Sequence, residues 1–290
     1  MEKILKQYDY NPKSEEINAT LAEIESNLES WRRNEVLYSC IGFTDLTTLK
    51  TEDTPSKVAS LTEKVNNFKS EFPDAPYPAS ICVYPNFASV IRDNLKVKGV
   101  DITTVAGCFP CSQSFLEVKE LECRLAAENG ANEIDIVLAH NSFLEGNYKA
   151  AAEEISSIRR VLPKEVVLKV ILESGSLAEP EKIAAASYLA MEAGADFIKT
   201  STGKQEPAAT PQAAVVMCNC IKSYYKKSGR KVGFKPAAGI ATTKHALTYY
   251  AIVESILGKE WLNKDLFRIG ASRLVNNLLT DIQGTTVKYF

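Results

Sequence analysis

Histidine is scarce in this 290-residue chain, which has only His140 and His245. Two imidazoles without a ligand-spaced cluster of cysteines or carboxylates give no metal-binding pattern. No metal is expected, and neither histidine is assigned a role. Charge of one sign is also lacking: 34 Lys and Arg against 36 Asp and Glu leave a formal net charge of −2. That balance offers no bulk attraction to nucleic acid or to an anionic membrane, so neither is expected as a partner. No apolar run approaches the roughly 18 residues of a membrane span. Residues 1–11 are polar and charged, unlike the apolar core of a secretory signal. The seven cysteines are odd in number and irregularly spaced, and several sit in apolar segments. There a free cysteine behaves as a small hydrophobe, and a reduced, cytoplasmic protein is expected.

No Pro/Ser/Gly linker or low-complexity tract divides the chain, so 1–290 is expected to be one domain. What recurs is a short apolar run, a turn, and a longer amphipathic stretch. The apolar runs fall at 36–42, 79–84, 102–106, 133–138, 166–172, 196–199, 231–234 and 266–270. Rich in Val, Ile, Phe or Cys, they read as buried parallel strands. Stretches 116–129 and 181–193 have helical spacing and run into Gly130 and Gly194, suiting a helix end. Eight strand–helix units favour a closed α/β barrel, a (β/α)8 TIM barrel, for which about 250 residues is usual. A helical extension is expected within 1–34, from about Ser14 to Arg33, and a flexible tail at 283–290 after Gly284.

In such a barrel the active site lies at the C-terminal ends of the strands. Among the charged residues in or just after the apolar strand candidates, Lys199, Lys235, Lys169, Asp135 and Asp45 form a candidate cluster of lysines and aspartates. A lysine inside an apolar strand is costly unless paired or neutral. Lys199 and Lys235 fall on consecutive strands, hence on neighbours in a barrel. Two ammonium groups brought together favour loss of one proton, and burial acts the same way. The neutral amine is the nucleophile that condenses with a carbonyl to form a Schiff base. Asp135 can hold the lysines or relay protons through water. Any one strand lysine could equally serve only as a structural partner of an acid; three on consecutive strands favour chemistry.

Two other patterns attract attention. Ser201 to Lys204 reads STGK, but Ile198 stands where a nucleotide P-loop needs its first glycine, and no Ser or Thr follows the lysine. Phosphate held by backbone N–H groups suits the barrel loops after strands 7 and 8, where Gly239 and the run Gly270 to Arg273 lie. Cys108 and Cys111 form a C-x-x-C pair, but no thioredoxin-like pattern surrounds it, and chance thiols are the expected reading.

The segments DLTTL (45–49), ICVYP (81–85), GANEIDIV (130–137), LKVILESG (168–175), DFIKTSTGK (196–204), GFKPAAGI (233–240) and FRIGASR (267–273) occur in this order. Together they resemble the deoxyribose-phosphate aldolases, which are class I, Schiff-base enzymes. The resemblance runs from about Leu37 to Leu274. It implies reversible cleavage of 2-deoxy-D-ribose 5-phosphate to acetaldehyde and D-glyceraldehyde 3-phosphate, without a metal or organic cofactor. It implies that Lys199 forms the Schiff base, that Lys235 tunes it and that Asp135 takes part in proton transfer. Asp45, Cys82, Lys169, Thr202, Gly203, Lys204, Gly239 and Ser272 would bind substrate. Arg273 and Tyr289 are further candidates, and a homo-oligomer is left open. The sequence departs from the family pattern at Ala238 and Ser112, where glycines are usual. It also departs at Ala241, where arginine is common, and at Arg273, where serine or threonine is common. These changes keep open a different, unphosphorylated acceptor aldehyde, and beside it a non-catalytic binding barrel.

Overall fold

The computed structural model describes residues 2–290. The strands are β1 (Thr44–Thr47), β2 (Ser80–Val83), β3 (Asp101–Val105), β4 (Glu133–Val137), β5 (Val167–Ile171), β6 (Phe197–Lys199), β7 (Gly233–Lys235) and β8 (Ile269–Ala271). All pair in parallel, each with its sequence neighbour, and β1 also pairs with β8. Bridges Phe234–Phe267 and Ala237–Gly270 close the ring between β7 and β8. The protein is a (β/α)8 TIM barrel.

Helices α1 (Glu2–Gln7), α2 (Ser14–Ser26) and α3 (Asn34–Gly42) precede the barrel. Around it run α4 (Pro55–Glu71), α5 (Ala88–Asn94), α6 (Leu116–Glu128), α7 (His140–Leu144), α8 (Tyr148–Val161), α9 (Ser174–Leu177), α10 (Pro180–Glu192), α11 (Pro211–Ser228), α12 (Thr243–Leu257) and α13 (Leu274–Gln283). Three long helices begin in the same way. Thr54, Thr210 and Thr242 accept from the backbone N–H three residues on, at 3.2–3.3 Å. Each hydroxyl thus satisfies one orphan donor of its helix. In α4 and α11 a proline follows the cap, where its missing N–H costs nothing. Gly130 and Gly194 turn the chain from α6 into β4 and from α10 into β6 with φ of 110° and 106°, a region unfavourable to other residues.

One strand expectation needs correction. The apolar run 36–42 is not the first strand but lies in α3; the first strand is the more polar Thr44–Thr47. Val36, Leu37, Cys40 and Ile41 are buried while Tyr38 and Ser39 are less so. That spacing is helical, and the buried face packs against α12 and α13. The remaining seven runs each overlap a strand.

The segment after α13 is docked. Asn276 clamps it: Nδ2 donates to the Phe290 carbonyl at 2.9 Å, and Oδ1 accepts from the N–H of Tyr289 and Phe290 at 3.1 and 3.0 Å. The rings of Phe290 and Tyr289 lie against Phe68 of α4, with centroids 5.3 and 5.7 Å away.

Candidate active site

Residue alternation along the strands aims every second side chain into the barrel. On β4 this places Glu133 and Asp135 on the same inward face, and their neighbours on β5, β6 and β7 complete the cluster. Lys199 Nζ and Lys235 Nζ each donate to Asp135 Oδ2 at 2.7 Å. Lys169 Nζ donates to Asp135 Oδ1 at 3.1 Å and to Glu133 Oε2 at 2.6 Å. Lys235 also forms an ion pair with Asp45 Oδ2, without hydrogen-bond geometry. Deeper in the barrel, Arg268 donates to Asp45 Oδ1 at 2.7 Å and to Glu133 Oε1 at 2.6 Å. All seven side chains are buried.

The charge count decides the electrostatics. Four buried cations, Lys169, Lys199, Lys235 and Arg268, share three buried carboxylates, Asp45, Glu133 and Asp135; Arg268 also pairs at 3.5 Å with the half-buried Asp101, whose charge Lys264 balances at 3.1 Å. Burial would raise Asp135, but the charges of Lys169, Lys199 and Lys235 outweigh it and hold the carboxyl well below its usual range. Asp45 and Glu133 are held low by the same balance of burial against lysine and Arg268 charges. Lys235 goes up: burial opposes its charge, but Asp135 and Asp45 overcome that cost. Lys199 goes down: burial is the largest influence, Asp135 opposes it, and Lys235 adds repulsion. The surplus proton is therefore most easily lost from Lys199.

Lys199 is also the member of this cluster that reaches open space. It lines a cavity of about 320 Å³, whereas Asp45, Asp135, Lys169 and Lys235 lie behind its wall. Thr202, Gly203, Lys204, Gly239, Ser272 and Arg273 line the same cavity, so the loops after β6, β7 and β8 converge opposite the amine. Lys204 Nζ reaches across to the Leu49 carbonyl at 2.5 Å, joining the loop after β6 to the one after β1. Cys82 is buried on β2, outside the cavity wall, with its thiol pushed up by burial. Tyr289 is not at the cavity; its hydroxyl donates to the Lys64 carbonyl at 2.7 Å. Cys108 and Cys111 are free thiols.

Two of the sequence departures occupy strained backbone. Ala238 has φ of 68° and Ser112 has φ of 54°, the left-handed region that favours glycine. The Ala238 methyl also crowds the rim: a Cβ added at Gly203 would come within 3.0 Å of it.

Glu133, Arg268 and Glu173 were not among the residues expected at the site. Glu173 is buried, with φ of 46°, and accepts from the Thr202 hydroxyl at 2.5 Å and the Thr202 N–H at 3.2 Å. It fixes the cavity rim from beneath. The signal was an acid directly after a strand, in LESG. Glu133 and Arg268 were legible only as charges within apolar runs.

A profile described as DeoC/LacD family aldolase matches residues 40–258. A Caenorhabditis elegans relative is 40% identical over 268 residues, covering 92% of this chain and 88% of that protein. Mus musculus deoxyribose-phosphate aldolase is 39% identical over 257 residues, covering 83% and 79%. Among solved structures, the deoxyribose phosphate aldolase of Aeropyrum pernix superposes with a TM-score of 0.67 at 24% identity, covering 93% of this chain and 98% of that one. At that identity the likeness bears on the fold.

Proposed function

Because the chain belongs to the DeoC/LacD aldolase family, we propose that it cleaves 2-deoxy-D-ribose 5-phosphate reversibly to acetaldehyde and D-glyceraldehyde 3-phosphate. One observation carries the reading: the buried lysine with the least support for its charge is the one facing the cavity. The neutral Lys199 amine adds to the sugar aldehyde, and the adduct takes up one proton and loses water to form an iminium. The C3 hydroxyl then gives up its proton as the C2–C3 bond breaks. The bonding pair moves into the iminium, leaving an enamine on Lys199 and releasing glyceraldehyde 3-phosphate. Protonation of the enamine carbon and hydrolysis release acetaldehyde and restore the amine.

In this reading Lys235 stays protonated and keeps Lys199 from holding its own proton. Asp135, bonded to both, orients the amines and relays protons through water. Lys169 and Asp45 hold Asp135 and Lys235 in place. Gly203, Gly239 and Ser272, with Thr202, Lys204 and Arg273 beside them, form the rim that would receive the phosphate.

The test is borohydride trapping with acetaldehyde, run beside a cleavage assay. The wild type should gain a reduced adduct at Lys199, and Lys199→Ala should lose both the adduct and the cleavage. A folded wild type that forms no adduct would sink the proposal. The Ala238 methyl at the rim favours one second reading, the same lysine chemistry with an unphosphorylated acceptor. Substrate profiling separates them, because strict dependence on the phosphate removes the second.

A further inference from the structure

A second cavity adjoins the one that Lys199 lines. It holds about 590 Å³ and shares Thr47, Thr48, Lys50, Ser272 and Arg273 with its neighbour. Beyond that common wall it is lined by α4 and Phe290, and neither Lys199 nor Gly203 nor Gly239 belongs to it. Helix α4 turns one face to it: at about 100° per residue, Lys57, Ser60, Leu61 and Lys64 fall within an arc of about 100°. Four cations therefore line one cavity, Lys50, Lys57, Lys64 and Arg273, all exposed. Its one acidic side chain, Asp53, is turned to its own loop, where Oδ2 accepts from the Thr48 hydroxyl at 2.8 Å and the Lys50 N–H at 2.9 Å. Among the described residues none of the four cations forms an ion pair, and Lys57 Nζ donates to a neutral acceptor, the Glu52 carbonyl, at 2.8 Å. Exposed cations elsewhere do find acids, as Lys13, Arg92, Lys96 and Arg124 show. Counting a carboxylate on Phe290, the four cations still face only two anions. A concave surface with such a surplus of one sign concentrates the opposite charge.

We propose that this second cavity is an anion site, separate from the rim that would receive the sugar's own phosphate. Its ligand is a phosphate-class dianion, free or carried on a small phosphorylated molecule. Arg273 supplies a planar fork that can meet two phosphate oxygens, and the three ammonium groups act as point charges around them. The cavity has the size of a small-molecule site, and Leu46, Leu61 and Phe290 give it an apolar wall for a short carbon skeleton. The shared wall couples it to its neighbour. An anion seated there draws on Arg273 and Lys50 and sets a like charge beside the rim. On the aldolase reading, it raises KM for the phosphorylated sugar and changes kcat little, because Lys199 lines only the other cavity. The coupling is reciprocal, so the sugar's phosphate weakens the second anion by the same factor.

Equilibrium dialysis with radiolabelled inorganic phosphate at low ionic strength tests the site without turnover, so its outcome stands apart from that of the aldolase reading. The wild type should hold two phosphates per chain, one at the rim and one in the second cavity. Lys57→Ala combined with Lys64→Ala removes two cations that line only the second cavity. This variant should weaken one of the two sites by at least about tenfold and leave the other. It should trap acetaldehyde at the wild-type rate, since that aldehyde carries no charge, and inorganic phosphate should raise its KM for the sugar less than in the wild type. Glycerol 3-phosphate, which has no aldehyde to react, separates the sources. Binding about tenfold tighter than inorganic phosphate at the Lys57- and Lys64-dependent site assigns it to a phosphorylated small molecule, and equal or weaker binding assigns it to free phosphate. A single phosphate per wild-type chain overturns the proposal, as do two that ignore the double variant. So does a second site that chloride empties at equal ionic strength, which would be screening of an open surface.

Discussion

Replacing Lys235 with methionine removes a charge and keeps much of the side chain's volume. In the wild type, Lys199 and Lys235 each lie 2.7 Å from the same Asp135 oxygen, so the two nitrogens are within twice that distance. Two unit charges about 5 Å apart repel by about 3 kcal/mol at an effective dielectric of about 20, which is about 100-fold in the proportion of free amine. Loss of Lys235 also leaves Asp135 more fully available to the Lys199 ammonium, which acts in the same direction. The variant should therefore trap acetaldehyde about 100-fold more slowly than wild type at neutral pH. Raising the pH should restore the amine, so the deficit should shrink steadily toward about pH 10. The assay is the initial rate of borohydride-trapped adduct across that range, with thermal melts to show that the barrel is intact. A deficit equal at every pH would refute the reasoning. It would mean that Lys235 positions Lys199 or the substrate rather than setting its proton.

Arg268→Met should cost about 3–5 kcal/mol in urea unfolding, because it leaves Asp45 and Glu133 buried with fewer partners; a loss below about 1 kcal/mol would contradict the buried network. Asp45, Glu133 and Asp135 are all held below the usual carboxylate range, near 4. Their stabilisation should be fully present above that value and be lost as pH falls below it, which thermal melts from about pH 6 down to about pH 2 would follow. Ala238→Gly should relieve a left-handed φ of 68° worth about 1 kcal/mol while adding similar freedom to the unfolded chain. Stability should barely move, and KM for the phosphorylated sugar should fall about fivefold if the methyl crowds the phosphate.

The barrel was legible because its strands alternate with helices of helical spacing, and seven of the eight strand runs fell where strands form. The first did not, for a reason visible in the residues. Val36, Leu37, Cys40 and Ile41 are apolar, and a short apolar run fits a buried helix turn as well as a strand. The strand that does form reads Thr-Asp-Leu-Thr; its Asp45 faces the charged interior, while Thr44 on the opposite face donates its hydroxyl to the Cys40 carbonyl of α3. Function inverted the usual composition there, and hydrophobicity pointed to the wrong segment.

The same logic divides the site. Lys169, Lys199, Lys235 and Asp135 could be found because a charge amid Val, Ile and Phe has no cheap structural explanation. Glu133 opens the run 133–138 and Arg268 lies within the run 266–270 just ahead of β8, both away from the strand ends where the site was sought, so they drew no attention. Yet they determine the outcome. Without them, three lysines would face Asp45 and Asp135 alone, still one cation in surplus, but Lys169 would have to take its carboxylate from Asp135. Glu133 takes up Lys169, and Arg268 takes up the rest of Glu133 and half of Asp45. Asp135 is then shared mainly between Lys199 and Lys235, and Asp45 adds its second oxygen to Lys235. Lys235 is thereby the better supported of the two, and the proton leaves the lysine that faces the cavity.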